Sequence, residues 1–337
     1  MLCRVADDLF WMSRYVERAI SACRLVDVTL HLELDAGDTR DTGSPYWMPL
    51  LGTRLDGIGG VEIPELSGRE VRVHLSFDPA NPNSLITCVR QARAAAMHVR
   101  ESISTEMWEQ LNALYLSLNV PDLKAYGEED PYTFYRRVRA GAQLFQGLAE
   151  CTLVHDERWQ FICLGMYLER ADNVARVLGL QANLLDLRPT ALDDASVRWL
   201  AVLRSCGAAE AYAHYYSLRV EPARVLEFLL LNPIFPQSIG FSLAAARAAL
   251  MQIANGAGSD VSSPAARAMA RLCARLETAA VDEVIEDGLV NFLDGLHRGV
   301  ADVAEQVTKT YLRDESLSMR AEGVERAALI MAAQQQQ

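Results

Sequence analysis

A short pattern that occurs twice constrains the fold more than any other feature of this sequence. Residues 15–24 read YVERAISACR, and residues 167–176, which lie 152 positions further on, read YLERADNVAR. The identical pairs are Tyr15 and Tyr167, Glu17 and Glu169, Arg18 and Arg170, Ala19 and Ala171, and Arg24 and Arg176. The repeat predicts two related helical halves, each built around one Glu-Arg pair.

Each copy lies in a long predicted helix that has an apolar stripe and a separate polar face. Apolar residues recur at alternating spacings of four and three from about Arg4 to Glu33, and again between Asp156 and Leu187. Adjacent helical residues point about 100° apart, so Glu17 and Arg18 are not expected to pair with each other. The polar faces consist of Glu17, Ser21 and Arg24 in the first helix, with Arg14 one turn earlier, and of Glu169, Asn173 and Arg176 in the second.

A second repeat supports the same division. The sequence NPNSL at 81–85 resembles FPQSI at 235–239, which begins 154 residues later. Each Pro-x-Ser turn is expected to open a helix with Ser84 or Ser238 as its N-cap. A helix N-terminus with a hydroxyl group can also bind an anion, so both interpretations stay open here. Arg93 and Arg247 occupy matching positions later in the two helices, again 154 residues apart.

The predicted fold class is all-α, an internally duplicated helical bundle whose two halves pack as one unit. The first half comprises residues 1–150 and includes a long connection near 34–83, which is rich in glycine, proline and aspartate. The second half comprises residues 151–320. The tail at 321–337 is expected to be frayed.

Several helix boundaries can be predicted inside this frame. Val71–Phe77 is expected to form a short helix or strand within the long connection. A helix, continuous or broken, is expected from about Ser84 to Leu118, with Pro121 ending it. Another is expected from about Pro131 to His155, and the last from about Val281 to Arg313.

Charge and cysteine content limit the kinds of partner and the compartment. The formal net charge is −12, so the chain repels phosphate backbones and nucleic acid is not an expected partner. The seven cysteines form no CxxC pair, which favours reduced thiols in a cytoplasmic protein. No secretory signal is expected from the charged N-terminus, and no stretch is long and apolar enough to predict a membrane span.

The two Glu-Arg faces are the first candidates for a functional site. If the halves pack about a pseudo-twofold axis, both faces line one polar centre, which would bind a carboxylate or phosphate or position a proton carrier. The same residues can instead form an ion-pair network that fixes how the halves dock. The catalytic candidates are Glu17 and Glu169. The ligand-binding candidates are Arg14, Arg18, Arg24, Arg93, Arg100, Arg170, Asn173, Arg176, Ser84, Ser238 and Arg247.

Other chemistry has little support in the sequence. His155, Asp156 and Glu157 are adjacent, but no second cluster at ligand spacing accompanies them, so no metal site is predicted. There is no HExxH, GxSxG, Walker A or dinucleotide-binding motif, and no cofactor is expected. Trp11, Trp108 and Trp159 are expected to be core aromatics.

Four segments in order resemble the bacterial alpha-E domain family over nearly the whole chain. They are RVADDLFWMSRYVERA at 4–19, RESISTEMWEQLN at 100–112, DERWQFICLGMYLERAD at 156–172 and FPQSI at 235–239. The resemblance implies an all-helical fold and places the family's Glu-Arg motifs on Glu17-Arg18 and Glu169-Arg170. Gln237 departs from the more usual FPRSV, so a site that needs that arginine would be weaker here.

The resemblance also implies a biochemical system. Members of the family stand beside, or are fused to, a circularly permuted ATP-grasp protein and a transglutaminase-like peptidase, which implies the formation or processing of amide bonds on a peptide. The leading hypothesis is an accessory or partner subunit that binds the ATP-grasp enzyme or its peptide. One alternative is an enzyme of the same pathway with Glu17 or Glu169 as general base. Another is a purely structural helical scaffold.

Overall fold

The computed structural model describes residues 1–36, 46–51, 66–120, 122–187, 192–256 and 263–312. Within these ranges the regular elements are helices and no β-strand is present, so the all-α prediction is confirmed. None of the helices in these ranges has the length and hydropathy that a membrane span requires. The predicted tail at 321–337 lies outside the described residues, and the division into halves after residue 150 stays a prediction.

The described ranges contain fifteen α-helices. Up to residue 152 these are α1 (Cys3–Ala36), α2 (Met48–Leu51), α3 (Gly68–Phe77), α4 (Leu85–His98), α5 (Thr105–Ser117), α6 (Leu123–Glu129) and α7 (Pro131–Thr152). They are followed by α8 (Glu157–Leu187), α9 (Leu192–Ser205), α10 (Ala209–Tyr215), α11 (Pro222–Leu231), α12 (Ile239–Gly256), α13 (Pro264–Glu277), α14 (Val281–Glu286) and α15 (Leu289–Val307). A π-helical turn at Thr308–Leu312 follows α15.

The two long helices α1 and α8 form the centre of the fold. α1 packs against α4, α7 and α8, while α8 also packs against α12 and α15. The two central helices run in the same direction, because their contacts rise together in residue number from Met1 and Glu157 to Arg18 and Glu169. Buried apolar side chains from α1 to the final π-helical turn join one continuous core.

A glycine lets α1 and α8 approach each other closely. A Cβ atom at Gly165 would overlap the backbone oxygen of Phe10 and the hydroxyl of Ser13, both on α1. Any larger residue at 165 would therefore push the helices apart. This contact lies one turn before the Glu-Arg pair of α8, so it also sets the spacing of the polar centre.

The connection near 34–83 contains more helix than its composition suggests. The segment predicted as a short helix or strand at Val71–Phe77 is helical and belongs to α3. A capping box begins this helix: the Glu70 amide donates to Ser67 Oγ at 3.2 Å, and the Ser67 amide donates to Glu70 Oε2 at 2.8 Å. These two bonds satisfy amide groups that a helix start otherwise leaves without partners.

Two helices predicted as long runs are interrupted. Between α4 and α5 the chain turns, and Ser104, in an extended conformation, caps α5 by accepting a bond from the Met107 amide. α5 ends at Ser117, and Pro121 lies outside the described residues. The last predicted helix divides at Gly288, whose φ of +105° is a conformation that suits glycine. The short helix α6 was not predicted.

Candidate functional site

The two Glu-Arg motifs meet across the contact between α1 and α8 as reciprocal ion pairs. Arg170 donates from Nε to Glu17 Oε1 at 2.8 Å and from Nη2 to Oε2 at 3.0 Å. Arg18 donates from Nε to Glu169 Oε1 at 2.7 Å and from Nη2 to Oε2 at 3.0 Å. Each carboxylate therefore receives the planar fork of an arginine from the other helix, the strongest geometry for such a pair.

Each carboxylate also has a third donor, and the two donors differ. Gln146 on α7 donates from Nε2 to Glu17 Oε2 at 2.6 Å. Arg14 on α1 donates from Nε to Glu169 Oε2 at 2.8 Å. Only 3% of Glu17 and 1% of Glu169 is exposed, so both carboxylates are removed from solvent as well as fully bonded.

The arginines decide the charge state of both carboxyl groups. Burial raises the pKa of Glu169, but Arg18 and Arg14 lower it by more, and the pKa lies well below its usual value. Burial also raises the pKa of Glu17, and Arg170 with Gln146 outweighs that effect, so this pKa is lowered too. Both groups are ionised at neutral pH and are weak proton acceptors.

The ion pairs extend to the two Pro-x-Ser turns. Arg18 Nη1 donates to Asn83 Oδ1 at 2.6 Å, and Arg170 Nη1 donates to the backbone oxygen of Pro236 at 3.4 Å. Ser84 and Ser238 act as N-caps in these turns, accepting from the amides of residues 87 and 241. Their hydroxyl protons are also used, on the Thr87 hydroxyl and the Asn232 backbone oxygen respectively.

The rest of the first polar face borders a narrow cleft, which we call the Arg24 cleft. It is lined by Glu17, Ser21, Arg24, Arg170, Asn173, Val174, Val177, Ser205, Cys206 and Gln237. Its free space is about that of one water molecule. The polar face of α1 (Glu17, Ser21 and Arg24) thus lines this cleft together with one residue of the α8 face, Asn173, whereas Glu169 and Arg176 are not in its lining.

Two polar groups in the Arg24 cleft lack partners in the described part of the chain. Arg24 forms no ion pair there, and burial lowers its pKa although the nearby Glu17 acts in the opposite direction. Asn173 is only 5% exposed, and its Nδ2 has no hydrogen-bond acceptor among the described residues. The guanidinium lies against Gly207, where a Cβ atom would come within 2.9 Å of its Cζ.

The matching arginine on α8 has a carboxylate partner instead. Arg176 donates to Asp172 Oδ2 from Nε at 3.0 Å and from Nη2 at 2.7 Å, and His297 contacts the other oxygen, Oδ1. Burial raises the pKa of Asp172, but Arg176 and His297 together leave it lowered. The sequence contains the signal for this pair, an acid at 172 four residues before the arginine at 176, but the pair was not among the predictions.

The remaining arginine candidates make their contacts elsewhere. Arg93 donates to Asn112 Oδ1 at 3.0 Å and lies over the ring of Tyr115. Arg100 lies over the ring of Trp108 at 4.8 Å. Arg247 pairs with Glu277 at 2.9 Å, where both side chains are well exposed. None of these contacts joins the three arginines to Glu17 or Glu169.

A larger pocket opens on the other side of the Glu17–Arg170 pair, between α1, α7 and α8. Its volume is about 320 Å³, and we call it the Glu150 pocket. It is lined by Ser13, Val16, Gln143, Phe145, Gln146, Gly147, Ala149, Glu150, Trp159, Ile162, Met166 and Arg170. Sequence reasoning missed its α7 residues, although Gln143, Gln146 and Glu150 follow the spacing of one helical face.

The cysteines and the acidic start of α8 add no further centre. All seven cysteines are unpaired, and five of them are buried. His155 stacks on Trp159 with ring centres 4.4 Å apart, while Asp156 pairs with Arg158. In the described ranges no group of three His, Cys, Asp or Glu side chains is arranged to hold a metal ion.

Two mycobacterial proteins resemble most of this chain. They are uncharacterized protein Rv2567 of Mycobacterium tuberculosis (strain ATCC 25618 / H37Rv) and uncharacterized protein Mb2597 of Mycobacterium bovis (strain ATCC BAA-935 / AF2122/97). Each is 28% identical over 329 residues, which cover 92% of this chain and 37% of the relative. The chain thus spans little more than a third of the length of these relatives. No solved structure matches it.

The family comparison agrees with the arrangement of the central ion pairs. Residues 1–312 match Alpha-E, described as a predicted alpha-helical domain with a conserved ER motif. Both Glu-Arg motifs, at Glu17-Arg18 and Glu169-Arg170, fall inside the matched range. The chain therefore belongs to the Alpha-E family.

Proposed function

We propose that the chain is a partner subunit of a peptide-ligating ATP-grasp enzyme, binding that enzyme or the peptide that it modifies. The observation that carries the proposal is the length of the relatives, in which the aligned region makes up only 37% of the polypeptide. A covalent link holds two domains at high effective concentration, which is useful where they act together. The circularly permuted ATP-grasp protein implied by the family resemblance is the partner that we expect.

The buried centre supports a structural role for Glu17 and Glu169 better than acid-base catalysis. A general base must reach a proton on the substrate and have a pKa suited to accepting it. Glu17 and Glu169 are buried, each receives three hydrogen bonds, and the pKa of each is lowered. These properties suit carboxylates that fix the relative position of two helices.

We also propose that the two halves arose by duplication. In the reciprocal pairs Glu17–Arg170 and Glu169–Arg18, the glutamate of each sequence repeat binds the arginine of the other repeat. The packing follows the same order in both parts, since α1 contacts α4 and α7 as α8 contacts α12 and α15. In addition, α4 contacts α5 and α12 contacts α13, which continues the correspondence.

Two exposed apolar side chains near Phe228 offer a place for a protein partner. Leu218 is 90% exposed and Ile234 is 71% exposed. The loops that carry them meet at Phe228, which contacts the rings of Tyr216 and Phe235. Exposed apolar side chains that lie on neighbouring loops can be covered together by one protein partner. We expect the ATP-grasp protein to cover this surface in the complex.

The proposal also implies a compartment. An ATP-dependent partner would place the chain in the cytoplasm, where free thiols stay reduced. The seven unpaired cysteines agree with that environment. A transglutaminase-like peptidase is a second expected partner, acting on the same peptide.

Co-purification tests the proposal directly. The chain and the ATP-grasp protein encoded beside it are expressed together, purified through a tag on one of them, and analysed by size-exclusion chromatography with light scattering. We expect one complex, and ATP turnover with candidate peptides and amino acids that needs both proteins. If the two elute separately and turnover by the ATP-grasp protein is unchanged, the proposal is wrong.

A surface variant with a matched control locates the contact. Leu218→Asp with Ile234→Asp should weaken the complex at least tenfold, because two charges would be buried against the partner. Leu116→Asp, on α5 and 53% exposed, is the control and should leave the complex intact. Equal losses in both variants would contradict a contact around Phe228.

An enzyme of the same pathway is a second candidate function, favoured by the Glu150 pocket of about 320 Å³ beside Glu17 and Arg170. It predicts turnover by this chain without the ATP-grasp protein. It also predicts that Glu17→Gln removes turnover while the thermal midpoint barely moves. Unfolding of that variant would instead support the structural role of the ion pair.

A further inference from the structure

The Glu150 pocket has the size and the composition of a ligand site. Its volume of about 320 Å³ lies at the lower end of the range found for small-molecule sites, about 300–1,000 Å³. Apolar side chains from α1 and α8, among them Val16 and Met166, form one part of the lining. Polar side chains from α7 form another, which is the usual combination of an apolar wall with a few converging polar groups.

The polar groups of the pocket are arranged to accept hydrogen bonds. Gln146 directs its amide NH₂ group at Glu17, which leaves its amide oxygen as an acceptor. Ser13 uses its hydroxyl proton on the Phe10 backbone oxygen, so its free lone pairs are also acceptors. Arg170 directs Nε and Nη2 at Glu17, so the charge of this arginine is already balanced.

Glu150 gives the pocket a net negative charge. Among the side chains that line the pocket, Glu150 is the charged one that forms no ion pair within the described ranges. It is exposed to solvent, so a ligand can reach it without a rearrangement of the helices. Because the Glu17–Arg170 pair beside it is neutral overall, the pocket favours a ligand group with one positive charge.

The apolar lining indicates what should carry that charge. Trp159 and Ile162 belong to α8, and Trp159 is largely buried beside its stacked neighbour His155. An indole ring stabilises a nearby ammonium group and also packs against a methylene chain. A cation on a short apolar stem therefore matches the pocket better than a compact inorganic cation does.

We propose that the Glu150 pocket binds a primary ammonium group on an apolar stem, provided by a lysine side chain or by the amino terminus of a peptide. Glu150 and the oxygens of Gln146 and Ser13 accept its three N–H groups, and Trp159 with Met166 packs against the stem. This inference deepens the proposed function by naming the chemistry of the peptide group that is bound. It is tested on the chain alone, so its failure is distinguishable from a failure of co-purification.

Calorimetric titration of the purified chain compares three probes. Nα-acetyl-lysine amide presents the side-chain ammonium, leucinamide presents an amino terminus, and Nα,Nε-diacetyl-lysine amide keeps the stem but lacks the charge. We expect at least one charged probe to bind ten times more tightly than the diacetyl compound, and the better of the two identifies the source of the ammonium group. Equal binding of all three, or no heat from any of them, would overturn the proposal.

Variants assign the binding to this pocket. Glu150→Gln should weaken the better probe about tenfold, whereas Glu109→Gln, which removes another exposed carboxylate, on α5, should leave its affinity unchanged. A change in tryptophan fluorescence on addition of the probe should disappear in Trp159→Phe, and the probe should also bind this variant more weakly because the indole ring is lost. Equal weakening by Glu150→Gln and Glu109→Gln would show a general effect of charge and refute the site.

Discussion

The polar faces of α1 and α8 share a sequence pattern, but their last arginines, Arg24 and Arg176, differ in their partners. On α8, Asp172 accepts two hydrogen bonds from Arg176 and neutralises it. The position 152 residues earlier is Ile20, so Arg24 on α1 has no such carboxylate and forms no ion pair in the described part of the chain. Without a carboxylate at this position, Arg24 keeps an unpaired positive charge beside the Arg24 cleft in the described part of the chain.

The two faces also differ at their N-terminal ends. Arg14 on α1 gives Glu169 a second arginine, while the matching position on α8 is Met166. Glu17 takes its third hydrogen bond from the neutral Gln146 instead. The cluster around Glu169 therefore depends on its single carboxylate more heavily than the cluster around Glu17 does.

The largest expected effect is the loss of the Glu169 carboxylate. Glu169→Gln leaves the buried Arg14 and the partly buried Arg18 without their counter-charge, and we expect the free energy of unfolding to fall by about 3–5 kcal/mol. Glu17→Gln leaves Arg170 without its ion-pair partner, while Arg24 loses only a nearby charge to which it is not hydrogen-bonded, and this variant should cost less. Chemical denaturation followed by circular dichroism measures both values.

The control for these two variants is Glu109→Gln, whose carboxylate lies on the surface of α5. It should change the free energy of unfolding by less than about 0.5 kcal/mol. Equal losses for Glu169→Gln and Glu17→Gln would contradict the asymmetry between the two clusters. If neither Glu169→Gln nor Glu17→Gln lowers the free energy of unfolding, the buried ion pairs contribute little to stability.

The next largest effect concerns the contact between the central helices. Gly165→Ala would place a methyl group against the Phe10 backbone, which cannot move aside as a flexible side chain would, and should cost about 1–3 kcal/mol. Gly179→Ala, in the same helix but with open space around it, should stabilise the protein by up to about 1 kcal/mol. Thermal unfolding of both variants compares them, and equal shifts would rule out close packing at Gly165.

Acid should reveal the Glu169 cluster through its lowered pKa. The unfolded chain takes up a proton near the usual value of 4.5, while folded Glu169 stays ionised to lower pH, so stability is present above that value and lost as pH falls. Each such group adds a slope of about 1.4 kcal/mol per pH unit below pH 4.5. Glu169→Gln removes the contribution of this group, so the free energy of unfolding should fall less steeply with decreasing pH. Denaturation measured between pH 5 and pH 3 gives the two slopes. An unchanged slope would contradict the lowered pKa.

How much of this arrangement could be predicted depends on whether the contacts are local. The apolar stripe predicted a helix from about Asp156 to Leu187, and α8 runs from Glu157 to Leu187. The capping box of α3 and the pairing of Asp172 with Arg176 also join residues three or four apart. Such signals can be read from the sequence, although the last of them was missed.

Contacts between distant helices could not be predicted in the same way. The partner of Glu17 follows from the parallel crossing of α1 and α8, and the approach of Gln146 follows from the position of α7. A repeat indicates that two helices are similar, but it does not give the distance or angle between them. The size of the Glu150 pocket likewise depends on three helices at once.

The smallest expected effect, at Arg24, is the sharpest test of the comparison between the two faces. Arg24→Met removes a half-buried guanidinium that forms no ion pair in the described part of the chain, so the free energy of unfolding should change by less than about 1 kcal/mol in either direction. Arg176→Met leaves the buried Asp172 carboxylate with His297 and without its arginine, and should cost about 2 kcal/mol. Denaturant titration of the two variants side by side gives the difference. If Arg24→Met lowers the free energy of unfolding as much as Arg176→Met does, Arg24 is stabilised as strongly as the paired Arg176. That result would contradict an unpaired positive charge in the Arg24 cleft.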